Sequence, residues 1–173
     1  VVGAGSFGTA MARILGPRPV QLTLAARSAE HVDAMRATNT NERYFPGIEF
    51  PHDTRFTTVD EAADEQWDAI VLAVPTSAFA ATIERFADRA PTFLSLGKGL
   101  DPSGRRLSEV AAEFVDRDRY VTLSGPNIAR EMMQDLPTAA VVAGTGRETV
   151  LRVQEVVNGF AFRVYEHDDI VGV

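Results

Sequence analysis

The sequence contains no cysteine. That absence excludes a disulfide framework, a thiolate metal site and a cysteine nucleophile. Long apolar runs are missing as well. The stretch AIVLAV at 69–74 is among the longest, and it is far too short to cross a bilayer. An excess of positive charge is missing too. Seventeen basic residues stand against 24 acidic ones, a net charge of −7, which speaks against a nucleic-acid partner. Histidine is sparse. His31, His52 and His167 are scattered, Asp168-Asp169 has no partner at ligand spacing, and nothing forms a Ser-His-Asp set or a metal site. Lysine is almost absent: of the 17 basic residues, Lys98 is the one lysine and the rest are arginine. Arginine suits bidentate contacts to carboxylate and phosphate, whereas lysine is a compact point charge. A lone lysine between two glycines therefore marks a place where an ammonium is wanted, unless it is a chance residue on a solvated loop.

What is present fits one folded domain. The chain has 173 residues, 45% of them apolar and 24% charged. A domain of that size buries about 70% of the surface its unfolded chain exposes. No secretory pattern opens the sequence, and a cytoplasmic location is the expectation.

Short apolar runs alternate with amphipathic stretches. Val1-Val2 reads as the end of a strand. Helices are expected at 6–15, 29–37, 59–65, 77–87, 105–115, 127–134 and 147–157. Strands are expected at 20–26, 69–74, 92–96, 120–123, 138–143 and 162–165. Residues 39–57, rich in Asn, Pro, Gly and Arg, read as one long loop. In the helix 77–87, Phe79, Ile83 and Phe86 fall on one stripe. The alternation predicts an α/β fold of Rossmann-like, doubly wound type, with a mostly parallel sheet and helices on both faces.

Five segments at strand ends could carry chemistry. The first is Gly3-Ala4-Gly5-Ser6-Phe7-Gly8. In a strand–turn–helix setting, Gly3 makes the tight turn, Gly5 lets backbone approach a pyrophosphate, and Gly8 lets the helix pack on the strand. The second is Arg27, about 20 residues on, where an NAD-binding chain would place an acid. An arginine there attracts a 2′-phosphate, which predicts NADP over NAD. The competing reading has Arg27 over the adenine or in solvent. The third is Ala73-Val74-Pro75, either a cofactor-facing strand end or a plain turn. The fourth is Gly97-Lys98-Gly99, which could bring the ammonium to a phosphate or a carbonyl oxygen. The fifth is Ser124-Gly125-Pro126-Asn127, in which Asn127 either caps the next helix, the stronger reading of these residues alone, or donates to a ligand. Arg105-Arg106 reads as part of a solvated helix face.

Together these segments resemble the bacterial NAD(P)-dependent glycerol-3-phosphate dehydrogenases. The matching pieces are GAGSFGTA at 3–10, AAR at 25–27, NERYFPG at 41–47, VLAVP at 71–75, GKGL at 97–100, GRRLSEV at 104–110, LSGPNIARE at 123–131, LPTAAVVA at 136–143 and FRVYEHDDIVGV at 162–173. The resemblance implies an oxidoreductase interconverting dihydroxyacetone phosphate and sn-glycerol 3-phosphate, feeding phospholipid synthesis. It implies cofactor contacts at Ser6, Phe7, Arg27, Lys98 and Ala129, beside the glycines of the turn. It implies substrate contacts at Lys98, Gly125 and Asn127. Ser28 stands where many members carry a second arginine, which weakens the case for a tightly held 2′-phosphate. The resemblance also implies that residues 1–173 are the cofactor domain of a longer, homodimeric enzyme. The catalytic lysine and the helical substrate domain would lie beyond Val173. Two other readings compete: a two-domain hydroxy-acid or carbonyl reductase of the same fold, and a non-catalytic NAD(P)-sensing module.

Overall fold

A computed structural model describes residues 1–173. Its sheet is organised around Val2. That residue bridges in parallel to Ala25 on one side and Leu72 on the other. Val2 thus joins β1 (Thr23–Ala26) to β5 (Ile70–Leu72). Outside β1 lies β4 (Arg55–Thr58), parallel to it. On the far side follow β6 (Phe93–Ser95), β7 (Tyr120–Ser124), β8 (Thr138–Gly144) and β9 (Phe162–His167). Every pairing is parallel except β7 with β8. The sheet is therefore mostly parallel, as the sequence predicts. The chain runs outward from Val2 to β4, then returns to begin again at β5. That reversal places a crevice at the carboxyl ends of the Val2 segment and β5, where open α/β sheets bind ligands.

Alternation along the strands divides the core into two layers. Leu24 and Ala26, Leu94 and Leu96, and Val121 and Leu123 face one layer. Ala25, Phe93 and Tyr120 face the other. The first layer is closed by α1 (Ser6–Leu15), α2 (Ala29–Thr38), α6 (Ala129–Met133) and α7 (Arg147–Val157). The second is closed by α3 (Val59–Ala62), α4 (Thr76–Phe86) and α5 (Leu107–Ala111). The stripe Phe79, Ile83 and Phe86 is fully buried there, as its helical spacing demands. No helix is long and apolar enough to cross a membrane.

Residues 39–57 are not the single loop that their composition suggests. They hold a small antiparallel pair, β2 (Thr40–Asn41) and β3 (Phe45–Glu49), and then lead into β4. The physical reason is burial. Phe45, Phe50 and Phe56 insert into the layer beneath α1 and α2, and the Phe50 and Phe56 rings meet edge to face at 5.1 Å. Several elements are also shorter than expected: β1, β5 and β6 each lose residues from the predicted strands, and α3 ends at Ala62 rather than at 65. The helix predicted at 105–115 spans only α5, and the one predicted at 127–134 begins at Ala129.

Candidate functional site

The segments singled out from sequence lie at one edge of the sheet, at strand carboxyl ends. The turn of residues 3–8 leaves the Val2 segment and opens α1. Gly3 adopts φ +112°, and a Cβ on it would sit 2.3 Å from the carbonyl oxygen of Ala73, at the end of β5. A Cβ on Gly8 would sit 1.9 Å from the oxygen of Gly3. Both glycines are therefore demanded by packing. Gly5 differs: nothing lies within 4 Å of where its Cβ would be. That space is open to a ligand, as the role expected of Gly5 requires. No side chain caps α1 and no acid occupies its first turn, so its positive end faces the crevice uncompensated. Ser6 is exposed and Phe7 half-buried at that end.

Arg27 follows β1, is exposed, and has no ion-pair partner within 4 Å. Its neighbour Ser28 caps α2, its hydroxyl accepting from the His31 N–H at 3.3 Å. Ser28 thus serves the helix.

Lys98 draws three segments together. Its ammonium donates to the Gly125 carbonyl at 2.8 Å and lies 5.5 Å from the centroid of the Phe7 ring. The loop that presents it is organised by Asp101. The Asp101 carboxylate accepts from the backbone N–H groups of Ser103 and Arg105 and from the Ser103 hydroxyl, and it pairs with the Arg105 guanidinium at 3.3 Å. The Arg105 N–H, then the Ser103 bonds and the Arg105 charge, hold its carboxyl below the usual range. The reading from sequence missed Asp101, although Asp-Pro-Ser-Gly is a recognisable turn signature. Arg105 and Arg106 do not lie on a helix face. Arg105 closes this loop, and Arg106 precedes α5 and pairs with Glu109. The Asp101 hub draws Arg105 into the turn, while Arg106 is held at the start of α5 by Glu109.

Asn127 is not a helix cap; Ile128 holds that position. Asn127 is 8% exposed, and its amide nitrogen donates to the Thr138 hydroxyl at 3.0 Å and the Ala139 carbonyl at 2.7 Å. A cap would use the side-chain oxygen of Asn127 as an acceptor; here neighbouring β8 fixes the amide through its nitrogen instead. Its Oδ1 is buried and accepts no hydrogen bond. Ala129, the first residue of α6, packs half-buried against the layer that α1 closes.

Beyond Lys98 opens a cleft of about 350 Å³. Thr122, Ser124 and Gly125 line it, together with Lys98 and Arg106. No acidic side chain lines it, so in a chain of net charge −7 the cleft favours an anion. Tyr120 also borders it, and burial pushes its phenol up to about 12.

An open turn, an uncompensated helix end, an unpaired arginine after β1 and a sheet reversal define a Rossmann-type dinucleotide-binding domain. Comparison with known proteins narrows the class. Residues 1–150 match the family described as NAD-dependent glycerol-3-phosphate dehydrogenase N-terminus. A protein of Stenotrophomonas maltophilia named glycerol-3-phosphate dehydrogenase [NAD(P)+] is 39% identical over 99% of this chain and 52% of its own length. One of the same name from Streptomyces avermitilis is 38% identical over 99% of this chain and 53% of its own. The crystal structure of glycerol-3-phosphate dehydrogenase from Coxiella burnetii superimposes with a TM-score of 0.90 at 32% identity, covering 99% of this chain and 54% of that one. The chain belongs to the NAD-dependent glycerol-3-phosphate dehydrogenase family, of which it carries the N-terminal domain. It spans about half the length of the curated relatives it matches.

Proposed function

We propose that residues 1–173 are the cofactor half of an enzyme that interconverts dihydroxyacetone phosphate and sn-glycerol 3-phosphate. The observation that carries this reading is the placement of Lys98 between the dinucleotide turn and the Gly125 carbonyl, at the mouth of an acid-free cleft. NADPH or NADH, when bound, supplies the hydride that reduces the substrate carbonyl carbon. Gly3, Gly5 and Gly8 shape the turn, Ser6 and Phe7 border it, and the α1 end offers backbone N–H groups to the pyrophosphate. Arg27 is the cation for a 2′-phosphate and favours NADP over NAD. Ala129 belongs to the wall behind the turn. One of the three Lys98 protons goes to Gly125, which leaves two for substrate oxygens. Aimed at a carbonyl oxygen, the ammonium stabilises negative charge as hydride arrives at the carbon. Gly125 lines the substrate side, and Asn127, whose amide donors are taken by Thr138 and Ala139, serves it through its unused Oδ1, as an acceptor rather than the donor expected from sequence.

The family further supports a proton-handling lysine and a helical substrate domain in the other half of the enzyme, a homodimeric assembly, a cytoplasmic setting and a supply of glycerol phosphate to phospholipid synthesis. No nucleic-acid partner enters this reading.

The test is a fluorescence titration with NADPH and NADH, beside turnover of dihydroxyacetone phosphate by the full-length enzyme. Tighter NADPH binding, with turnover abolished by Lys98→Ala, supports the reading. Retained turnover in that variant removes Lys98 from the chemistry. Cofactor binding without turnover of this substrate by the wild type favours the sensing module or another reductase.

A further inference from the structure

The segment NERYFPG contributes a buried amide that the proposed mechanism leaves unused. Asn41 is 1% exposed. Its side-chain nitrogen donates to the Ala4 carbonyl at 3.1 Å and to the Thr9 hydroxyl oxygen at 2.8 Å. A carbonyl oxygen can only accept, so chemistry fixes which end of the amide faces Ala4. Both N–H donors are then engaged, and Oδ1 is left as acceptor. Its neighbour is His31 Nε2 at 2.9 Å, which must therefore be the protonated, donating nitrogen. Both polar atoms of the amide group are thus directed. One partner, Ala4, lies between the first two glycines of the turn. Another, Thr9, stands on α1 just after the third. The last, His31, lies in the first turn of α2 and packs its ring 6.4 Å from that of Tyr44.

We propose that Asn41 is a positioning residue for the dinucleotide turn. By gripping both the Ala4 carbonyl and Thr9, it sets the plane of the peptides around Gly5. The free N–H groups at the start of α1 then point toward the pyrophosphate before any ligand arrives. His31 keeps the amide from rotating. The proposal rests on the dinucleotide-binding reading of this site.

The experiment compares two ligands on the full-length protein. NADPH carries a pyrophosphate; adenosine 2′-monophosphate has none. In Asn41→Ala, the dissociation constant for NADPH rises roughly tenfold, the scale expected for a small misplacement of a binding group. That for adenosine 2′-monophosphate stays within about twofold. Thr9→Val, which removes one acceptor without touching Asn41, moves NADPH in the same direction, and Thr9→Ser restores it. A merely structural role lowers the melting temperature but moves the two ligands by the same factor or not at all, and that result overturns the proposal. Should Asn41→Ala fail to fold, Thr9→Val and Thr9→Ser decide alone. If Gly5→Val loses NADPH while the Asn41 and Thr9 variants bind as the wild type does, the dinucleotide reading stands and the proposal falls. If the wild type binds no dinucleotide, both fall.

Discussion

The Lys98 ammonium lies 5.5 Å from the centroid of the Phe7 ring, on a side chain from a different strand end. A cation over an aromatic face is worth about 0.5–1 kcal/mol at an exposed site. The ring therefore steadies Lys98 without taking any of its protons. Phe7→Leu is expected to lower kcat/KM for dihydroxyacetone phosphate about two- to fivefold through this loss. Phe7→Trp, with the stronger aromatic face, is expected to retain it. Steady-state kinetics of the two full-length variants check the contact. Equal activity of both with the wild type would remove it from consideration.

Lys98 itself should matter more. Removing a donor to a developing oxyanion costs about 10²–10³ in turnover. Lys98→Ala is expected to lose on that scale in kcat, while the melting temperature stays close to that of the wild type because the side chain is exposed.

The three glycines of the turn should separate by phenotype. Gly5→Val enters open space, so the folded chain survives and NADPH binding is lost. Gly8→Ala drives a methyl group into the Gly3 carbonyl and should destabilise the fold by about 1–3 kcal/mol. Urea unfolding with a parallel NADPH titration distinguishes the two. A Gly8→Ala variant as stable as the wild type would contradict this close packing of α1 on the turn.

Arg27 has no internal carboxylate to release before it meets a ligand. Charge-assisted hydrogen bonds contribute about 1.5–3 kcal/mol, or roughly 10–100-fold in affinity. Arg27→Asp should lower the NADPH-to-NADH affinity ratio by that factor. An unchanged ratio would mean that the side chain stays in solvent.

Much of this architecture is legible in the residues, and apart from the local Asp101 turn the main exceptions share a cause. The turn at 3–8 and the helices α1, α4 and α7 follow from local glycine spacing and from stripes three and four residues apart. Residues 39–57 mislead because Pro46 and Gly47 sit inside β3, where a short edge pairing tolerates them and buried phenylalanines outweigh propensity. Asn127 misleads because a cap is a local preference, whereas its actual partners Thr138 and Ala139 come from β8. Asn41 is silent for the same reason: Ala4 and Thr9 are 37 and 32 residues away. The pattern of a sequence reports neighbours along the chain. The polar contacts that shape this site reach across it.

Acid should expose a second local device. Glu61 closes a capping box on α3 with Thr58, and the Thr58 N–H, followed by the Thr57 and Thr58 hydroxyls, lowers its carboxyl to about 2. A depressed carboxylate stabilises the fold fully above its ordinary value near 4.5, and that contribution fades as pH falls toward about 2. Wild type should therefore lose more thermal stability between pH 5 and pH 2.5, about the window of this titration, than Glu61→Gln. Melting curves across that range provide the comparison, and parallel losses would exclude the box as a source.

An exposed lysine that is the only one in the chain has a practical consequence as well. An amine-acylating reagent finds a single side-chain target in these 173 residues, and it stands at the mouth of the cleft. Modification at Lys98 can thus be counted by mass on the peptide that contains it. The degree to which a nucleotide or a phosphorylated triose shields that amine becomes a direct gauge of occupancy, with no probe engineered into the protein.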